Sequence, residues 1–288
     1  MNPFDNEGDP PPLILNLAPT GMVHTREMSP YVPLQPDEIV REVAAAASLG
    51  ITMVHLHARD EGGRPTYKKA VYARIIGGIR ERNPDLIVCV SCSGRDFKSI
   101  DQRADVLELD ADLRPDMASL TLASLNFGRQ ASINEPEMVL ALAHRMLQRG
   151  IAPEFEIFDL GMANYAKYLV RKLGLKSPIY ANIMLGNIAS AQADLLSMAA
   201  ITQAMPPATL WGLGGIGNTQ IPVTAIASAI APAVRVGLED NLWLDASRTR
   251  LATNMDMIER VHQLAALSGR TIMKPNDLRS RLGLGGTR

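Results

Sequence analysis

The chain has 288 residues, 47% of them hydrophobic and 5% aromatic, with a formal net charge of −1. That is enough apolar material for one large α/β core, and an α/β barrel of this length commonly stays a single domain. Lys and Arg, 29 against 30 Asp and Glu, are scattered without a basic stripe, which gives nucleic-acid binding little support and points to a small-molecule partner.

Met1 to Pro12 is acidic and Pro-rich, unlike a signal peptide, and no apolar run reaches the roughly 18 residues needed to span a bilayer, so a cytoplasmic protein is expected. From there β-branched or alternating runs recur, each followed by a stretch of helical periodicity. Strands are predicted at 13–20, 53–58, 86–92, 117–122, 153–159, 178–185, 208–214 and 233–239. Helices are predicted near 36–49, 68–82, 99–107, 135–149, 161–174, 190–204, 222–230 and 254–268. Pro36-Asp37-Glu38 and Glu135-Pro136-Glu137 suit first turns, and Gly50, Gly150 and Gly269 suit helix ends. Regular βα units over about 250 residues predict a (β/α)8 TIM barrel rather than an open doubly wound sheet. The barrel is expected to occupy residues 13–270 as one domain, with an N-terminal arm at 1–12 and a C-terminal tail at 271–288.

In such a barrel the outward face of each strand must be apolar to meet the helices. That rule leaves Asn16, His55, His57, Ser91, Ser119, Thr121, Glu154, Glu156, Arg235 and Glu239 pointing inward. A structural barrel core would be branched and apolar, so these polar groups near strand C-termini imply a site at the catalytic face. His55 and His57, two positions apart on one strand, offer converging imidazoles. Strands one and eight become neighbours on closure, so Glu239 can complete a His-His-Glu zinc site with an open fourth position. Two alternatives stand beside this: hydrogen-bonded core histidines, and Glu239 as a buried partner of Arg235. Glu154 and Glu156 are either an acid/base pair or structural partners of interior arginines.

Two motifs are expected to be decoys. Cys89 and Cys92 match C-x-x-C, but strand geometry turns them to opposite faces, and reduced buried thiols are expected. Gly212-Leu213-Gly214-Gly215-Ile216-Gly217 matches a dinucleotide fingerprint, yet too little chain follows for a doubly wound half. In a barrel these glycines would form the loop after strand seven, a frequent phosphate-binding place.

Several segments together resemble the β-keto acid cleavage enzymes. They are Ala18-Pro19-Thr20-Gly21 with Thr25-Arg26-Glu27, Val54 to Asp60 with Gly63-Arg64-Pro65, Arg114 to Leu120 with Asn126-Phe127-Gly128, Pro153 to Glu156, and Arg235 to Asn241. The resemblance implies a TIM-barrel zinc enzyme, usually a homotetramer, that converts a β-keto acid and acetyl-CoA into acetoacetate and a new acyl-CoA. It implies His55, His57 and Glu239 as zinc ligands, and Ser91 and Ser119 as contacts to substrate, with Thr121 beside them on the same interior face. It further implies Glu156 as a polar site residue, and Arg235 with Asp240 as the pair that removes a proton.

Members that act on 3-keto-5-aminohexanoate carry an acidic residue two positions after the Thr-Gly of the first strand. Here Met22 and Val23 follow Thr20-Gly21, so a neutral or apolar substrate side group is expected, or one recognised through His24, Arg26 or the loop around Asn218 and Gln220. The alternative functions are a metal-dependent carbon-carbon lyase, an amidohydrolase-like hydrolase and a binding barrel without turnover. The hydrolase is disfavoured because, of five histidines, only His55 and His57 fall on strands.

Overall fold

The alternating runs become parallel strands β1 (Ile14–Leu17), β2 (Met53–Leu56), β3 (Ile87–Val90), β4 (Met117–Thr121), β5 (Ala152–Ile157), β6 (Tyr180–Leu185), β7 (Leu210–Gly215) and β8 (Ala233–Val236). In the computed structural model, which describes residues 10–285, they close in sequence order, with β8 pairing β1 so that Arg235 stands opposite Asn16. Helices cover the outside: α1 (Pro36–Leu49), α2 (Lys69–Arg82), α3 (Ile100–Ala104), α4 (Pro136–Gln148), α5 (Leu160–Leu173), α6 (Leu195–Ala204), α7 (Gln220–Ile230) and α8 (Asn254–Leu267), with α9 (Pro275–Leu282) beneath. This is a TIM barrel.

The helix starts follow local chemistry. The α5 cap Asp159 accepts from the Met162 N–H, and Thr253 and Asp256 form a reciprocal capping box at α8. Differences from expectation lie at element ends. Helix α6 begins at Leu195 rather than near 190 because Asp194 caps it, accepting from Ser197 N–H at 2.8 Å. The predicted helix at 99–107 is α3 followed by a tighter turn, Asp105–Glu108. Strand β8 stops at Val236, three residues short, because Gly237 adopts φ +148°; a Cβ there would lie 2.0 Å from the Ala18 carbonyl oxygen. Glu239 therefore sits on a loop above the strand.

Two apolar layers divide at the barrel wall. Leu15, Leu17, Val54, Val88, Leu120 and Val234 face the helices. Inside, Ile14, Met53, Ile87, Met117, Tyr180 and Ala233 form a floor joined by Met273, Leu278 and Leu284. The segment expected as a tail thus supplies α9, which plugs the N-terminal mouth of the barrel, and Met273 N–H donates to Leu13 C=O at 2.8 Å. Cys89 belongs to the interior cluster and Cys92 to the outer one; both are free and buried. The fingerprint glycines lie largely within β7 rather than in a loop. Cβ atoms at Gly212 and Gly214 would press on Asn182 and Met184, so these positions make room for the barrel interior instead of cradling a phosphate.

Asp116 fastens the plug. Arg279 Nη1 of α9 and Arg80 Nη2 of α2 each donate to it at 2.7 Å, and Val88 N–H donates at 2.9 Å. Burial works against the charge, but Arg279, Arg80 and the Val88 amide outweigh it and hold the carboxyl below its usual range. The stability it contributes is present above the unfolded-state value and is lost as pH falls through the lower, folded value. Asp116→Asn should cost about 3–5 kcal/mol in chemical denaturation at neutral pH by stranding both arginines, and the loss should shrink under acid. A variant as stable as the parent at pH 7 would show that the triad does not hold the floor.

Candidate active site and metal centre

Above the apolar floor the interior becomes polar, and Glu154 of β5 is fully buried at its centre. Its Oε1 accepts from Asn16 Nδ2 at 2.9 Å and Asn182 Nδ2 at 2.7 Å; its Oε2 accepts from His55 at 2.7 Å and from the Cys89 thiol at 3.1 Å. Burial raises its pKa, but the charge and hydrogen bond of His55 reverse this and bring it down to about 2. A carboxylate only accepts, so His55 Nδ1 carries a proton; burial opposes a second one, but the charges of Glu154 and Glu239 raise the pKa of His55, and a metal on Nε2 would take the place of that second proton. The sequence left Glu154 either catalytic or paired with arginine; the structure pairs it with His55.

His55 Nε2 is 3.3 Å from His57 Nε2, which is 3.2 Å from Glu239 Oε1; His55 Nε2 to Glu239 Oε1 is 4.0 Å. Ligand atoms about 2.0–2.1 Å from zinc stand about 3.3 Å apart when tetrahedral. The observed triangle fits, with its long edge between His55 and Glu239. Glu239 Oε2 is buried without a partner, as expected of a carboxylate with unused ligating capacity. Each of these contacts is favourable only with a proton or a cation between the two atoms, and a shared cation would replace the imidazole protons. A second cluster, His55, Cys89 and Glu154, also has metal-type side chains within reach. There Glu154 already accepts from the proton of His55 and from the thiol, and burial pushes the Cys89 thiol well above its usual range, which opposes the thiolate a metal needs.

Glu239 reaches this position because Gly21, at φ +66°, has no side chain: a Cβ would lie 2.6 Å from Glu239 Cγ. Arg235 of β8 then organises the carboxylates. Its Nε and Nη2 donate to Asp240 at 2.9 and 3.1 Å, its Nη2 donates to Glu239 at 2.8 Å, and its Nη1 lies 3.7 Å from Glu156. The pairing of Glu239 with Arg235 is observed, and it leaves Glu239 within reach of His55 and His57, so it does not exclude a ligand role. Burial opposes the charge on Glu239, but His57, Arg235 and His55 hold it well below the usual carboxylate range. Asp240 goes the other way: burial raises its pKa and, with the charge of Glu239, prevails over Arg235. One ionised carboxylate beside one of raised affinity for protons is a workable ligand and base pair.

A cavity of about 510 Å³ opens over this cluster and is lined by His57, Thr121, Glu156, Arg235, Glu239 and Asp240 among others. Thr121 Oγ1 donates to Glu156 at 2.5 Å. Ser91 and Ser119 are not on that wall. Ser119 Oγ accepts from Cys92 N–H at 3.2 Å, and Ser91 Oγ accepts from Ser93 N–H at 3.2 Å, so both hydroxyls shape the turn after β3. Met22, Val23 and His24 also line it. His24 is tied to Leu238 C=O at 2.6 Å, Arg26 is paired with Glu38 outside the pocket, and Gln220 donates to Gly237 C=O.

Sequence reasoning missed Arg59 and Asn254. Arg59 Nε, Nη1 and Nη2 donate to the carbonyls of Gly21, Gly63 and His24, tying the loop after β1 to that after β2. Asn254 Nδ2 donates to Pro19 C=O and its Oδ1 accepts from Leu238 N–H, bracing the loop that carries Glu239. Arg59 follows the His-x-His run on the same strand-like stretch, a signal that was available; Asn254, at a helix start, carried none.

If Glu154 fixes the tautomer of a metal-binding histidine, Glu154→Gln should weaken zinc affinity about 10–100-fold in a chelator competition. Unchanged affinity would mean that the Glu154–His55 pair has no role in metal binding.

Three comparisons bear on this geometry. A model of the beta-keto acid cleavage enzyme family matches residues 12–284. A 3-keto-5-aminohexanoate cleavage enzyme of Fusobacterium nucleatum is 33% identical over 94% of this chain and 98% of its own length. A 3-oxoadipate:acetyl-CoA acetyltransferase of Cupriavidus necator is 32% identical over 95% of both chains. The solved structure of ObcA in its apo form superposes with a TM-score of 0.76 at 21% identity, covering 88% of this chain; the chain spans just under two thirds, 66%, of ObcA, and the likeness concerns the fold. By the family match and by two relatives aligned over nearly their whole length, this chain is a member of the β-keto acid cleavage enzyme family.

Proposed function

We propose that the protein is a zinc-dependent acyltransferase that exchanges acyl groups between a β-keto acid and acetyl-CoA, releasing acetoacetate and a new acyl-CoA. The observation that carries this reading is the convergence of His55, His57 and Glu239 beside the Arg235–Asp240 pair under one cavity. A divalent ion held by the first three would act as a Lewis acid toward the keto and carboxylate oxygens, making the C2 hydrogens more acidic. Asp240, held on its far side by two hydrogen bonds from Arg235, takes a proton from C2. C2 then bonds to the acetyl carbonyl carbon and CoA thiolate leaves. That thiolate attacks the original keto carbon, the bond from this carbon to C2 breaks, and the electron pair left on C2 takes back the proton from Asp240. Thr121 and Glu156 line the substrate's side of the cavity, and Ser91 and Ser119 support it by holding the turn after β3.

Met22 and Val23 offer no charge to an ammonium group, which supports a substrate without a cationic side group. Ile188, Leu195 and Leu196 are 77%, 74% and 80% exposed around the start of α6, an apolar patch that supports a homo-oligomer, with a tetramer as the proposed state. Among the described residues no helix is long and apolar enough to cross a membrane, and two unpaired cysteines suit a cytoplasmic setting. A barrel domain over 13–270 with flanking segments remains the proposed division; α9 then belongs functionally to the barrel it closes.

The test is acetoacetate formation by zinc-loaded protein from acetyl-CoA and a panel of β-keto acids. Product that requires both acetyl-CoA and His55, and so vanishes in His55→Ala, is expected. Cleavage without acetyl-CoA would favour a lyase, and no product from any acid by fully metallated protein would favour the hydrolase. Asp240→Asn should lower kcat about 10²–10⁴-fold with metal content retained, the loss expected for a general base. A kcat within threefold of the parent would remove Asp240 from the proton transfer.

A further inference from the structure

Arg95, on the loop between β3 and α3, is a cation of the cavity wall that the reaction does not use. Its guanidinium carbon sits over the Phe127 ring, 3.7 Å from the centroid, and its Nε is buried with no hydrogen-bond partner. The cavity's carboxylates are already engaged: Glu239 and Asp240 by Arg235, Glu156 by Thr121, and Asp96 by Gln130 Nε2 at 2.9 Å. Among the described residues no carboxylate forms an ion pair with Arg95.

The loop is built to hold this arginine still. Gly94 passes so close to its neighbours that a Cβ would lie 2.3 Å from the Ile133 carbonyl oxygen. Arg103 clamps the same turn, donating to Cys92 C=O at 2.8 Å, Ile133 C=O at 3.1 Å and Asn134 Oδ1 at 2.7 Å. A guanidinium stacked on one face keeps its in-plane N–H edge free, and that edge matches a carboxylate bidentately.

We propose that Arg95 is the specificity-determining residue of the site and selects β-keto acids whose side group ends in an anion, a second carboxylate above all. This rests on the β-keto acid reading above and replaces the neutral side group expected from Met22 and Val23, which offer a cation no partner but leave the charge of Arg95 in the same cavity unanswered. The alternative anion, the diphosphate of CoA, is separated from its thioester by the whole pantetheine arm. Arg95 instead lines the same cavity as His57, Glu156, Glu239 and Asp240, so its ligand belongs to the molecule being cleaved.

The experiment compares 3-oxoadipate with 3-oxohexanoate, acids of equal carbon count that differ in the terminal carboxylate. The parent enzyme should favour 3-oxoadipate about 100-fold or more in kcat/KM, because a site built for a polar group rejects an analogue lacking it. Arg95→Gln should bring that ratio to within about threefold, and Arg95→Lys should restore some of it. The ratio is measured within one preparation, so partial misfolding does not alter it. A parent ratio near one, a fall shared equally by both acids, or a rise confined to the KM for acetyl-CoA would each overturn the proposal. If neither acid is turned over, calorimetric affinities of both for the metal-loaded protein and for Arg95→Gln give the same comparison, independent of the reaction.

Discussion

Glu154 has no access to solvent, and an ionised carboxylate in that position is tolerated only because four donors surround it. The donors come from β1, β2, β3 and β6, so one charge at the centre of the barrel holds side chains from half of the wall. Tyr180, itself hydrogen-bonded to Asn182 at 3.1 Å, ends the network against the apolar floor. Removing the charge would loosen the ring that aims His55, and the site above rests on that aim. The floor must exclude water for the arrangement to persist, which gives α9 and Asp116 a role in chemistry that occurs at the other end of the barrel.

Arg235 has the complementary role in the layer above. Three carboxylates, Glu156, Glu239 and Asp240, crowd the end of β8 and β5, and a single guanidinium lies among all of them. Its fixed fork separates their roles by geometry: one oxygen of Glu239 is shared with His57, and both oxygens of Asp240 are held toward Arg235. A lysine could neutralise the charge but could not impose this division. The tight approaches at Gly21 and Gly237 bring the loop after β8 against β1, which is how residues remote in sequence from His55 come within reach of it.

The barrel and the inward face of each strand were legible because a parallel barrel imposes one rule, apolar outside, and His55, Glu154 and Arg235 break it on the interior side. Positions beyond strand ends were less legible, since alternation lapses where the chain turns. Glu239 was found by counting past the real end of β8 and sits on a loop, close to the expected place only because Gly237 lets that loop fold over β1. Ser91 and Ser119 each accept a backbone amide through the hydroxyl oxygen, a local bond that periodicity cannot foresee and that leaves each O–H able to donate. The plug at Pro275–Leu282 was missed because a polar helix of eight residues with a few apolar contacts has a weak periodic signal. Arg95 carried no pattern: its meaning comes from Phe127, more than thirty positions away, and from what fails to pair with it.

The proposed chemistry requires a metal between His55 Nε2, His57 Nε2 and Glu239, with Glu154 on the far side of His55 as its support. X-ray absorption at the metal edge of zinc-loaded protein separates the two clusters that include His55, because only the one with Cys89 and Glu154 offers a sulfur, whereas the one with His57 and Glu239 offers nitrogen and oxygen alone. One ion per chain is expected, with only nitrogen and oxygen ligands at about 2.0–2.2 Å, two of them imidazole. A sulfur scatterer at about 2.3 Å would put the ion on Cys89 and Glu154 instead, and would contradict the assignment of every residue above it.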